Sequence, residues 1–258
     1  VFFGAGTATS PAAPSPLKGE GAPRVERSNL KNWQQMHENS YFENQNSFLK
    51  EQFGEEEYRR LYGSSDPRQL RDTSERDKKF IAEFVALDPT MNAAVIGCGY
   101  GRESLAIAPQ VKQVYGIDVS PTILKKAQEY LASKGVHNFT PVLAQDWRSG
   151  IEVELDFVYS ITVFQHLTRD LVRDYLFGLA QKLSARGSGL CQFAELSGGT
   201  TDAELKTYEP SVNWNASQIE ALVEEAGLRL VTLRTLDVQG GKWHWAFFAR
   251  AANGGEQE

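Results

Sequence analysis

The chain has 258 residues and a formal charge of −6. That length can bury a full core, and one domain with an appendage is the natural count. The acidic balance argues against a nucleic-acid substrate, because phosphate binding needs a basic face, and no apolar run approaches the length of a membrane span.

Val1 to Pro23 is rich in Ala, Gly, Pro and Ser. It lacks a charged segment followed by a long apolar one, so it does not read as a signal peptide. The first residue is not Met, which fits processing, truncation or added residues. Residues 1–27 and 253–258 are expected to be disordered. Residues 28–88 read as a helical lid: Trp33, Met36, Tyr41, Phe42, Phe48, Leu49 and Phe53 are spaced as in broken helices, with Gly54 and Gly63 as interruptions. Ser74 to Leu87 is the regular helix of that region, with Phe80, Ile81, Phe84, Val85 and Leu87 on its apolar side and Pro89 just beyond.

From residue 89 to 252 strands and helices alternate. Strands are expected over Ala93–Ile96, Gln113–Ile117, Phe139–Ala144, Phe157–Thr162 and Gly189–Ala194. A helix opens at Arg102 and stops at Pro109. Ser120-Pro121 starts another, with Ser as cap and Pro in the first turn, and Gly135 ends it. Thr168 caps a helix carrying Leu171, Tyr175, Leu179 and Leu183. Ser217 and Glu220 have capping-box spacing for a helix ending at Gly227. Leu228–Leu236 and Trp243–Ala249, joined by Gln239-Gly240-Gly241-Lys242, read as an antiparallel pair. Alternation implies a parallel sheet covered on both faces.

The chemistry sits where the first expected strand ends. Residues 95–101 are Val-Ile-Gly-Cys-Gly-Tyr-Gly, and Asp118 follows in Gly-Ile-Asp-Val-Ser. Glycine lets main chain approach a ligand with no Cβ in the way. A carboxylate ending the next strand can accept from both hydroxyls of a ribose. Together they describe a pocket for a nucleoside-bearing cofactor. In the dinucleotide fingerprint G-x-G-x-x-G/A the last position would here be Arg102, whose long charged side chain obstructs close helix–strand packing. A pyrophosphate also wants the bare amino end of a helix, which a cofactor without phosphates does not.

Four segments in one order carry a family resemblance: Val95 to Gly101, Tyr115 to Ser120, Ala144-Gln145-Asp146-Trp147, and Asp156 to Leu167. From about Asn92 to Arg250 the chain resembles class I S-adenosylmethionine-dependent methyltransferases of the small-molecule type. The resemblance implies an α/β, Rossmann-like, seven-stranded and mostly parallel sheet with helices on both faces and a C-terminal antiparallel hairpin, here with an N-terminal helical lid. It implies S-adenosyl-L-methionine as cofactor and S-adenosyl-L-homocysteine as product. By that likeness Gly97, Cys98, Gly99 and Gly101 pass the methionine part and the ribose, and Asp118 binds the ribose. Val119 is an apolar wall. Gln145 belongs to the adenine end, where Asp146 accepts from the adenine amine and Trp147 lies against the purine face. Backbone near Ser160 and Ile161 faces the methionyl amine. Arg102 reaches the methionine carboxylate or pairs with a helix acid; both stay open.

His166, in the loop leaving the fourth strand, is the candidate base, since an imidazole titrates near neutral pH. A structural histidine bonded within the loop is the alternative. Trp33, Tyr41, Phe42 and Trp214 are candidate acceptor contacts, with core or lid packing as the alternative. Tyr58, Tyr62 and residues 200–214 are further candidates for that wall. His37, His137 and His244 show no metal-ligand spacing, and no metal is expected. In the family's sheet order Cys98 and Cys191 lie two strand spacings apart, roughly 9–10 Å, too far for a disulfide. Reduced thiols and a cytoplasmic location follow. The reading is methyl transfer to oxygen, or to nitrogen, of a small molecule. Its rivals are a non-catalytic domain that binds the same cofactor and regulates a partner, and a dinucleotide-dependent oxidoreductase. Neither acceptor identity nor oligomeric state is legible.

Overall fold

The computed structural model describes residues 74–199 and 211–251. The expected disordered ends, residues 28–73 of the expected lid, and the segment 200–210 lie outside them, and with them Trp33, Tyr41, Phe42, Tyr58 and Tyr62. The described residues form α1 (Ser74–Ala82), β1 (Asn92–Ile96), α2 (Arg102–Ile107), β2 (Gln113–Asp118), α3 (Pro121–Ser133), β3 (Phe139–Leu143), the single turn α4 (Trp147–Gly150), β4 (Leu155–Ser160), α5 (Arg169–Lys182), β5 (Leu183–Leu196), α6 (Ala216–Glu225), β6 (Leu228–Val238) and β7 (Gly241–Arg250). Short 3₁₀ turns follow α2 (Ala108–Gln110) and β4 (Phe164–His166).

The strands make one seven-stranded sheet in the order β3-β2-β1-β4-β5-β7-β6. β3, β2, β1, β4 and β5 are parallel neighbours, and β7 runs antiparallel between β5 and β6. Successive residues of a strand face opposite sides, and β1 shows it directly. Ala93 and Val95 join one core cluster with Val114, Phe157, Tyr159 and Trp245, under Ile81, Leu124 and Leu131. Ala94 and Ile96 join the other with Ile117, Val158, Phe193 and Phe248, under Tyr175, Leu179 and Leu222. Burial on both faces explains why these strands read as apolar runs.

Local chemistry fixes the helix ends. Ser120 accepts from the Ile123 N–H at 3.3 Å ahead of Pro121, and Thr168 accepts from the Leu171 N–H at 3.3 Å. The capping box of α6 differs from expectation. Asn215, extended at φ −87° and ψ 167°, accepts from the Gln218 N–H at 2.9 Å, and the Gln218 side chain accepts from the Asn215 N–H at 3.1 Å. Ser217 therefore lies within the first turn, and the cap falls two residues earlier than the Ser217–Glu220 spacing suggested.

Boundaries differ elsewhere for physical reasons. α1 stops at Ala82, not Leu87, because the Glu83 and Phe84 N–H groups tighten onto the carbonyls of Phe80 and Ile81. Phe84, Val85 and Leu87 still pack against the core from irregular backbone. β4 stops at Ser160, because Thr162 takes a left-handed φ of 57°. β5 runs longer than Gly189–Ala194: Leu183 pairs with Leu155 at one end, and Leu196 with Gly241 at the other. α1 itself is a layer of the fold. Ile81 is buried, and the Phe80 ring lies 4.5 Å from that of Trp245.

Candidate functional site

The chain visits β1, β2 and β3 in one direction across the sheet and then returns to place β4 on the other side of β1. Such a reversal opens a crevice beyond the C-terminal ends of the strands. Asp118 ends β2 at this rim, and Gly97 to Gly101 make the turn from β1 into α2.

Gly97, Gly99 and Gly101 all have left-handed φ, at 66°, 50° and 86°. Their surroundings separate their tasks. A Cβ on Gly97 would stand 2.2 Å from Val163 Cγ2, and one on Gly101 would stand 2.9 Å from Leu131 Cδ1. Both glycines therefore serve close internal packing, one under the loop after β4 and one against α3. A Cβ on Gly99 would meet nothing among the described residues within 4 Å. Among the described residues, Gly99 alone of the three presents main chain that nothing covers. Cys98 turns its thiol into the core, where burial pushes it well above its ordinary range, so only its main chain lines the turn. Cys191 is likewise buried and raised by burial, and both thiols are free.

Asp118 is buried at the crevice. One oxygen accepts from the Gly99 N–H at 3.0 Å and the other from the Ser120 N–H at 3.1 Å. Burial raises its pKa to about 6, against the pull of those N–H groups. An ionised carboxylate offers about four lone-pair sites. The Gly99 and Ser120 N–H groups take one on each oxygen, and the Val119 N–H also pulls on the carboxylate. Val119, half-buried, packs on the core cluster of Ala94 and Ile96 beside it.

The adenine-end residues divide. Gln145 and Asp146 are exposed, with Gln145 Nε2 3.4 Å from Asp146 Oδ2, and Asp146 stands at the N-terminus of α4 with no side-chain cap bond. Trp147 is corrected. Its ring is 2% exposed and stacks on Tyr175 at 5.6 Å, with the Arg148 guanidinium 5.0 Å from its centre. No ring face is left for a purine. Arg102 bonds Glu103 through both Nε (2.9 Å) and Nη2 (2.7 Å), so the structure shows the pairing with a helix acid.

On the β4 side, Ser160 Oγ donates to the Ile96 carbonyl at 3.3 Å and ties β4 to β1 where the strand order reverses. Ile161 packs on the core cluster of Ala93 and Val95. His166 is buried, its Nε2 3.1 Å from Gln165 Nε2. The loop is stitched to the chain beyond β5 by the Val212 N–H, which donates to the Gln165 carbonyl at 2.8 Å. Trp214 is also corrected. It is 3% exposed, edge-to-face with Phe193 at 5.7 Å and covered by the Arg169 guanidinium at 4.3 Å. It is a core residue and not an acceptor wall.

The sequence reading missed three residues here. Val163 closes over Gly97. Gly116 leaves room for the Phe139 ring and the Cys98 thiol, since a Cβ there would stand 2.3 Å from Phe139 Cζ. Gln192 holds the Thr162 N–H at 2.8 Å; a polar residue inside the apolar run Leu190 to Ala194 was the signal for it.

A family model described as a methyltransferase domain matches residues 94–187, from β1 into β5. No curated protein sequence matches the chain. Magnesium protoporphyrin IX methyltransferase from Synechocystis PCC 6803, with bound SAH, is 19% identical with a TM-score of 0.56, over 80% of this chain and 99% of that one. A putative sarcosine dimethylglycine methyltransferase from Galdieria sulphuraria is 15% identical with a TM-score of 0.56, over 70% and 86%. A TehB-like SAM-dependent methyltransferase from Corynebacterium glutamicum is 19% identical with a TM-score of 0.50, over 68% and 87%. At these identities the structural likeness is one of fold. Residues 94–187 match a methyltransferase domain, and the sheet order is that of a Rossmann-like fold. In that domain and in its fold the chain is similar to S-adenosylmethionine-dependent methyltransferases.

Proposed function

We propose that the protein transfers the methyl group of S-adenosylmethionine, by in-line displacement, to an oxygen of a small-molecule acceptor, with nitrogen as the second choice. The observation that carries this reading is the Asp118–Gly99 pair. A buried carboxylate at the end of β2 has acceptor capacity for ribose hydroxyls beyond its backbone bonds, and the adjoining main chain at Gly99 has no Cβ where the ligand would lie. The Gly97–Gly101 turn would run along the methionine part, Asp146 with Gln145 would meet the adenine amine, and main chain at Ser160 and Ile161 would face the methionyl amine.

The bound sulfonium supplies an already activated methyl group. The protein's task is then to hold the acceptor in line and keep water out, and positioning of this kind is worth roughly 7–11 kcal/mol. His166 is the imidazole offered to an acceptor hydroxyl proton. Its ring is buried, so that role requires the acceptor to reach beneath the loop surface. Arg102, engaged with Glu103, argues against the dinucleotide rival, whose fingerprint wants a small residue there. The buried, free thiols support placement in a reducing cytoplasm; among the described residues no helix is long and apolar enough to cross a membrane.

Titration of the protein with S-adenosylhomocysteine and, separately, with NAD tests the reading. Saturable heat with the first and none with the second is expected. The reverse pattern overturns it.

A further inference from the structure

Gln192 lies on β5, one residue beyond the Ser160–Cys191 pair, on the sheet face that also carries its neighbour Trp245. It is 1% exposed. The two ends of its amide have different fates. Oε1 accepts from the Thr162 N–H at 2.8 Å, and because an N–H needs an acceptor, this bond settles which end is oxygen. Nε2 is then left as a buried donor with no hydrogen-bond partner among the described residues. An orphaned buried donor costs about 1–3 kcal/mol, so its presence calls for an explanation. The position supplies one. Thr162, in the loop that leaves β4 at the crevice, is the one non-glycine residue among the described residues with left-handed backbone, at φ 57°. Gln192 therefore holds the turn with one end of its amide and keeps the other at the same turn.

We propose that Gln192 Nε2 donates a hydrogen bond to the methyl acceptor and selects an acceptor that presents a lone-pair oxygen there: a hydroxyl, phenolate or carboxylate. This rests on the methyl-transfer reading above and narrows its substrate class. The amide takes no proton in the reaction. It orients the acceptor, and a protonated amine, which has no lone pair, gains nothing from it.

The test uses the full chain saturated with S-adenosylhomocysteine, with phenol, benzoate and benzylamine as probes. The Gln192 side-chain amide signal is assigned in a ¹⁵N spectrum by its disappearance in Gln192→Met. Phenol or benzoate is expected to move that signal and benzylamine to leave it in place. Gln192→Met is expected to weaken the oxygen probe by roughly fivefold to tenfold, the worth of one neutral hydrogen bond, with S-adenosylhomocysteine affinity unchanged. Gln192→Met also frees the Thr162 N–H, so Gln192→Met combined with Thr162→Gly, which relaxes the left-handed turn, separates the two roles. If Gln192 is a donor to the acceptor, the double variant stays weak for the oxygen probe. Recovery of probe affinity in the double variant would mean a purely structural clamp and overturn the proposal. So would a signal that no oxygen probe moves, or one that benzylamine alone moves. Failure of the wild-type chain to bind S-adenosylhomocysteine at all is a separate outcome, which removes the methyl-transfer reading and this proposal with it.

Discussion

Replacing Asp118 by Asn should act in opposite directions on stability and on ligand binding. Burial raises the Asp118 carboxyl to about 6 from an ordinary 3.8. The folded chain thus holds that proton more tightly than the unfolded one, and stability falls as pH rises through the folded value. With full ionisation the loss is about 3 kcal/mol. Asn carries no charge to desolvate, but it turns an NH₂ toward one of the two N–H donors from Gly99 and Ser120 and gives back about 1–2 kcal/mol. Asp118→Asn should therefore stabilise the ligand-free protein by about 1–2 kcal/mol at pH 7.5 in denaturant titrations, with the gain gone near about pH 4, where the wild-type group is protonated too. Binding should move the other way. One charged hydrogen bond to a ribose hydroxyl is worth about 1.5–3 kcal/mol, so calorimetry should show S-adenosylhomocysteine bound at least about tenfold more weakly. Wild-type affinity should fall about tenfold per pH unit below about pH 6, and the variant should be flat over that range. Unchanged affinity in Asp118→Asn, or the same pH slope in both proteins, would refute the reasoning.

The glycines of the turn should separate by substitution. Gly97→Ala meets Val163 Cγ2 at 2.2 Å and keeps a φ of 66°, so thermal denaturation should show a loss of about 3 kcal/mol or more. Gly99→Ala has room for its methyl and should lose only about 1–2 kcal/mol to its left-handed backbone, yet weaken S-adenosylhomocysteine in calorimetry because the methyl occupies the ligand's side of the turn. Asn215→Ala should lower stability by about 1 kcal/mol through the lost capping box, whereas Ser217→Ala should be nearly silent in the same denaturant titration. His166→Ala should reduce methyl transfer about 10²-fold or more if the ring acts as a base, with S-adenosylhomocysteine affinity unchanged; full turnover in that variant removes the base role.

The elements were legible because their ends follow from short-range rules, whereas the strand order came with the family resemblance. Ser120-Pro121, Thr168 and the glycine pair at 240–241 announce element ends in their own side chains or lack of them. The capping box of α6 was misplaced because Asn215-Ala216-Ser217-Gln218-Ile219-Glu220 contains two overlapping boxes, and backbone φ at Asn215 decides between them. The meeting of Asp118 and Gly99 was legible because an acid ending one strand and a glycine turn ending its parallel neighbour fall at the same edge of the sheet. Trp147 and Trp214 were not, since an indole suits a ligand face and a core equally well. Only the neighbours decide, and Tyr175, Phe193 and Arg169 had already taken the faces. Gly97 and Gly101 look the same as Gly99 in sequence, yet Val163 and Leu131, distant along the chain, give them a different task.

A crystal structure with S-adenosylhomocysteine bound tests the central assignment most directly. The account predicts both ribose hydroxyls within hydrogen-bond distance of the Asp118 carboxylate, with the ligand lying on the bare main chain at Gly99. A ligand seated away from β1 and β2, or a ribose that leaves Asp118 with no partner beyond Gly99 and Ser120, would contradict it.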